Sequence, residues 1–121
     1  MHGAIRDLLQ MQNQLRIFHW QTKSYAAHKA LGEAYESLDD LIDTFVETAL
    51  GRKEVDLSNG NINVMLFDSK ELDVNTALET YTEFLQSIST RLSSETDTDL
   101  INIRDEMLGL INHTKYLLKL S

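Results

Sequence analysis

Apolar residues recur along this chain at steps of three and four, the period of a helix with one buried face. Ile5, Leu8, Met11, Leu15 and Phe18 form one such stripe and predict a helix from Ala4 to Thr22. Ala27, Leu31, Ala34, Leu38, Leu41 and Phe45, widened by Tyr35, Ile42 and Ala49, predict a second from Tyr25 to Leu50. Gly51 follows it and predicts an end in the left-handed cap conformation. A third helix is predicted over Thr76–Ser93 on Leu78, Tyr81, Leu85, Ile88 and Leu92, with Phe84 beside them and Asn75 or Asp73 as cap. The fourth runs over Asp99–Leu118 on Leu100, Ile103, Met107, Ile111 and Leu118, flanked by Leu108 and Leu110, with Thr98 or Asp97 as cap.

Between residues 51 and 74 the pattern fails. Gly51, Ser58, Asn59, Gly60, Asn61 and Asn63 break it, and Val64, Met65, Leu66 and Phe67 are continuously apolar, which predicts a connection of more than twenty residues with a short docked apolar piece. So long a connection in a small domain needs a reason, and a crossover spanning a helical bundle is one. Helices of about 18 to 25 residues are roughly 27 to 38 Å long. Short connections make helix one antiparallel to two, and three antiparallel to four. The long one lets two and three run parallel. The expected fold is therefore all-α: one domain over residues 1–121, a ferritin-like four-helix bundle with a long crossover between helices two and three.

Composition narrows the chemistry. The chain has no proline and five glycines, too few turn residues for a β-sandwich of 121 residues. It has no cysteine, which excludes disulfides, thiol catalysis, cysteine zinc sites and iron–sulfur clusters. Nineteen acids against eleven bases give a net charge of −8. That balance repels phosphate backbones and anionic lipid and favours cations, so neither nucleic acid nor membrane is an expected partner. No apolar run approaches the roughly 18 residues of a membrane span, and Met1-His2-Gly3-Ala4-Ile5-Arg6 lacks the shape of a signal peptide. The expected setting is cytoplasmic.

The acids are not spread evenly. Glu33, Glu36, Asp39, Asp40, Asp43 and Glu47 lie on helix two with no basic residue between Ala30 and Gly51. At about 100° per residue, His28, Gly32, Glu36, Asp43 and Glu47 share one sector beside the apolar stripe. Asp43 and Glu47, four residues apart, can reach one cation. His28 is fifteen residues from Asp43, about 22 Å along a helix, and cannot share that cation within one chain. Two copies of helix two packed antiparallel about residues 35–37 would bring His28 of each to Asp43 and Glu47 of the other. The expectation is a homo-oligomer, at least a two-fold dimer. His19, near the end of helix one, is a further ligand, and such a donor set suits a first-row metal, iron or zinc. The plainer reading of these acids is a solvated helix face. His2 and His113 read as packed or hydrogen-bonded residues, and Trp20 as an apolar plug at the bundle's end.

The stretch His19-Trp20-Gln21-Thr22-Lys23-Ser24, then His28, then Asp43-Thr44-Phe45-Val46-Glu47, resembles the Dps family of small ferritins. The resemblance implies an iron site between two-fold-related subunits, ligated by His19, His28, Asp43 and Glu47 with Glu36 nearby, and Fe(II) oxidation by oxygen or peroxide. Zinc is the substitute metal. Gly32 stands where that family often has an acidic ligand, and the helix junction is about three residues shorter. The basic terminal extension is absent, so DNA binding is not implied. The His-Trp-Gln-Thr-Lys segment is also similar to small ferritin-like proteins, some encoded by tailed phages, which would place the chain in a host cytoplasm. Other ferritins use Glu-x-x-His, and no histidine here has a glutamate three residues before it. An all-α nucleotide pyrophosphohydrolase would need Glu-x-x-Asp after Glu33-x-x-Glu36, and none follows.

Two functions remain at this point. One is a Dps-like iron-binding protein, a ferroxidase if the site is complete. The alternative is a non-catalytic helical bundle serving as a protein-interaction or phage accessory module.

Overall fold

The structure, a computed structural model, describes residues 1–52, 55, 57–58 and 60–121. It contains four α-helices and, among the described residues, no strand: α1 (His2–Gln21), α2 (Tyr25–Arg52), α3 (Val74–Ser87) and α4 (Thr98–Lys119), with a 3₁₀ turn at Ile88–Arg91. The expected stripes are its core. Leu8, Met11, Leu15, Leu38, Phe45, Leu78, Leu85, Ile88, Leu100, Met107 and Ile111 are fully buried together. On α2 the buried row runs through Ile42, and Leu41 is only partly covered. Burial also pushes the Tyr81 phenol well above its usual pKa.

Three pairings fix the topology. Gln12 Nε2 donates to Asp39 Oδ1 at 2.9 Å and His19 meets His28, so α1 and α2 are antiparallel. Arg52 binds Asp99 and the Thr96 carbonyl, while Ala30 and Leu117 share a groove at the other end, so α2 and α4 are antiparallel. Arg104 Nη1 donates to the Leu85 carbonyl at 3.2 Å and Lys115 pairs with Glu79 at 2.9 Å, so α3 and α4 are antiparallel. It follows that α2 and α3 are parallel, and the connection between them returns along the bundle, as its length requires.

That connection is held differently from the expected apolar docking. Val64, Met65 and Leu66 remain exposed at 39%, 63% and 41%. Leu57 and Ile62 line the α1/α2 groove beside Ile5, Ile42 and Val46, and beyond them what docks is the main chain, on a row of glutamines along α1. Met65 N–H donates to Gln10 Oε1 at 3.0 Å, and Ser69 N–H to Gln21 Oε1 at 2.8 Å. Gln14 takes both groups of one residue: its Oε1 accepts from Phe67 N–H at 2.7 Å and its Nε2 donates to the Phe67 carbonyl at 2.9 Å. For Gln10 and Gln14 the spacings agree, since four helical residues rise about 6 Å and two extended residues about 6.6 Å.

The ends of α2 and α3 differ from expectation, each for an identifiable reason. Gly51 does not end α2, which runs on to Arg52, because Arg52 is anchored on the turn leading into α4 and on its start, through Thr96, Asp97 and Asp99. The described glycine with positive φ is instead Gly60, at 79°. The third helix stops at Ser87 and tightens into the 3₁₀ turn. There Ser87, Ser89 and Thr90 donate their hydroxyls to carbonyls three residues back, at 2.6, 2.8 and 2.7 Å. Of the two candidate caps for α3, Asp73 accepts from Thr76 N–H. Asp97 stands at the N-cap of α4 but makes no side-chain cap bond; its carboxylate accepts instead from Ser93 N–H at 2.8 Å.

Gln14 is 1% exposed, so its two bonds to Phe67 are made away from water. Gln14→Leu leaves both Phe67 groups without a partner and is expected to destabilise the chain by about 1–3 kcal/mol. Urea unfolding measures the loss, and amide exchange at Phe67 localises it to the crossover.

Candidate functional site

The turn between α1 and α2 is three residues long, and its hydrogen bonds make it stiff. Thr22 N–H donates to the Phe18 carbonyl at 3.0 Å and ends α1. Ser24 N–H donates to Thr22 Oγ1, and Ser24 Oγ accepts from Ala27 N–H, both at 3.2 Å, which caps α2. This short join sets the last turn of α1 beside the first turn of α2, and His19 faces His28.

The two imidazoles stack, with centroids 3.8 Å apart and planes 17° from parallel. They are also cross-linked. His19 Nδ1 lies 2.6 Å from the His28 carbonyl, and His28 Nδ1 lies 2.8 Å from the His19 carbonyl. A carbonyl oxygen only accepts, so each Nδ1 carries the proton and donates it. In a neutral ring that leaves Nε2 as the lone-pair nitrogen.

Gly32 makes this possible. A Cβ at that position would stand 2.8 Å from His19 Cε1 and 3.0 Å from its Nδ1. The residue that breaks the Dps-like ligand pattern is thus the seat of His19. The contacts continue as a row of rings: Tyr35 meets His19 edge to face with centroids 5.2 Å apart, the Tyr25 and His28 centroids are 6.4 Å apart, and the Arg16 guanidinium carbon lies 4.7 Å from the Tyr35 centroid. Arg16 Nε is buried without a hydrogen-bond partner among the described residues, so a ring face is what that cation is given.

The five residues singled out from the sequence divide into two places. His19, His28 and Glu36 line one open cleft, with Tyr25, Lys29, Gly32 and Glu33. Asp43 lies at the far end of the α1/α2 groove, with Ile5, Leu9, Gln12, Asp39 and Val46. Glu47 is exposed one turn beyond it. Among the described residues no group of three or more His, Cys, Asp or Glu is placed to hold a metal within the chain. Trp20 is not a plug: it is 65% exposed, and neighbouring Tyr25 is 77% exposed. His2 and His113 are exposed rather than packed. Sequence reasoning placed Gly32 in the sector but missed its role as the seat of His19, and missed Tyr35 and Arg16 as parts of the site. Their spacing was visible, Arg16 three residues before His19, and Gly32 and Tyr35 four and seven after His28. The steric fit was not.

This helical bundle with a histidine-linked hairpin belongs to a family of unknown function, DUF5856, which matches residues 19–118. It is also 30% identical, over 113 residues, to an uncharacterised 14.6 kDa protein of the mobD–ri intergenic region of Enterobacteria phage T4. The alignment covers 93% of this chain and 83% of that protein. No solved structure matches. The family match overturns the Dps and ferritin resemblance. That likeness rested on a few residues between 19 and 47, all inside the DUF5856 match, and no ferritin family is indicated. No helix among the described residues is long and apolar enough to cross a membrane.

Gly32→Ala forces the His19 ring away, and the expected loss is about 1–3 kcal/mol. In a His19→Ala background the clash is gone, and the same change becomes neutral or stabilising by up to about 1 kcal/mol through helix propensity. Urea unfolding of the four proteins measures this coupling, and additive effects would disprove the seat.

Proposed function

We propose that the chain is a non-catalytic accessory protein of a bacteriophage, working in the host cytoplasm by holding a basic segment of another protein on the α1/α2 face. Kinship with the phage T4 protein supports the setting. The observation that carries the binding mode is a pairing of exposed rings with uncompensated acids. Trp20 and Tyr25 stand open at one end. Glu33, Glu36, Asp40, Asp43 and Glu47 are exposed along α2, with no basic residue between Lys29 and Arg52. A guanidinium or ammonium group gains from both, by ion pairing and by lying over a ring. Trp20 is the chain's single tryptophan and reports contact directly. Titration with an Arg/Lys-rich peptide is expected to shift its fluorescence saturably and to weaken with salt. Reversing Glu33 and Glu36 to lysine is expected to cost about tenfold in affinity. An unmoved Trp20, or equal affinity in the reversed variant, refutes the reading.

A second reading of the same face is a first-row metal, iron with zinc as substitute, bound by His19 and His28 with Asp43 and Glu47 of a second copy in a two-fold dimer, and Glu36 beside them. One observation favours it: both Nδ1 atoms are committed to carbonyls, which makes Nε2 the ligating nitrogen on each ring; because the stacked planes are 17° from parallel, one ring must turn for both to reach the same ion. Calorimetric titration with zinc is expected to give one site per chain together with dimer formation, both abolished by His28→Ala. Absence of saturable binding ends this reading and leaves the first intact.

A further inference from the structure

We propose that the crossover is a self-pairing edge: two copies of the chain join through residues 62–67, antiparallel, about a two-fold axis at Met65. The glutamine row holds this segment extended and turns the N–H groups of Met65, Phe67 and Ser69 toward α1. In an extended chain alternate residues present N–H and C=O to opposite edges. Val64 and Leu66 therefore offer theirs to the other side, where nothing in the described chain hydrogen-bonds to them. The side chains of Val64, Met65 and Leu66 are exposed as well.

Exposed edges in natural proteins are usually blunted by proline, by lysine or other charge, or by a covering element. This one carries no proline and no charge. Residues 57–67 are the longest run in the chain without Asp, Glu, Lys or Arg. That is also what selects a second copy as the occupant. Two molecules of net charge −8 repel over most of their surfaces, and this uncharged run is where they approach without acids facing acids.

Register follows from the pattern of free groups. Val64 pairs with Leu66 of the partner subunit, and Leu66 with the partner's Val64, each pair exchanging two backbone hydrogen bonds. Met65 then faces the partner's Met65 across the axis, in the position where opposed side chains lie closest, with Cβ atoms about 4.5–5.5 Å apart. The pairing needs no metal, and the residues that exchange hydrogen bonds, Val64 and Leu66, lie outside the α1/α2 groove, which the segment borders only at Ile62, so it is tested separately from the proposed function.

Sedimentation equilibrium in the presence of a chelator tests it. The parent chain is expected to dimerise reversibly, and His28→Ala to dimerise equally. Met65→Lys and Met65→Glu each set like charges across the axis and should weaken the dimer at least about tenfold. An equimolar mixture of those two variants should recover pairing as the mixed dimer, which a misfolded variant could not do. The proposal is overturned by a parent chain that stays monomeric up to about 1 mM. It is equally overturned by a Met65→Lys protein that dimerises like the parent, or by a mixture that fails to recover.

Discussion

Making α2 and α3 parallel obliges the chain to travel back along the bundle, and Gln10, Gln14 and Gln21 decide how it does so. They lie on one side of α1 and take main-chain groups of Met65, Phe67 and Ser69. Main-chain docking asks for an extended backbone and little of the side chains. Gln14 belongs as much to the crossover as to α1: buried in the core's margin, it stands in for a neighbouring strand by matching both groups of Phe67. The same arrangement explains why three consecutive apolar residues can stay exposed without loosening the fold. Their backbone is held, and their side chains are surplus to the core.

The opposite side of α1 works by shape. His19 lies on α2 because Gly32 has no side chain, and the reciprocal Nδ1–carbonyl bonds lock the hairpin at its closed end. Tyr35 and Arg16 extend that contact along the groove, and Gln12 with Asp39 continues it. Gln10, Gln14 and Gln21 are thus committed to the crossover on one side of α1, and Gln12, Arg16 and His19 to α2 on the other. The acids on the outward side of α2 have few such commitments. Of the six, Asp39 alone makes a side-chain hydrogen bond among the described residues, to Gln12. A face whose charges are not engaged internally is free to engage something else, which is why the functional reading falls there.

How much of this was legible in the sequence depends on which force shaped each part. Burial is periodic, so the four stripes and the long crossover could be read from spacing, and the helix order followed from connection lengths. The ends of α2 and α3 could not. Arg52 prolongs one helix through groups 44 to 47 residues away, and the hydroxyls of Ser87, Ser89 and Thr90 tighten the other. The meeting of His19 with His28 was legible as proximity at a short turn. Its form was not, because two rings near each other can converge on a metal or close on each other's backbone, and spacing alone does not distinguish the two.

That ambiguity is also why the family resemblance misled. A His-Trp pair, a later histidine and an Asp-x-x-x-Glu are few residues, and a helical hairpin has structural uses for most of them. A histidine closing one helix and another opening the next can cap each other across the turn. Acids four residues apart are ordinary on an exposed helix. Gly32 is the position at which the two explanations part: a ligand site has no need of a glycine there, whereas a stacked and cross-linked histidine pair cannot tolerate anything larger. The residue least able to do chemistry therefore carries the most information about what the two histidines do in the single chain. Any role they take with a metal has to be built on Nε2 and on groups from outside the chain, because Nδ1 is already in use on both rings.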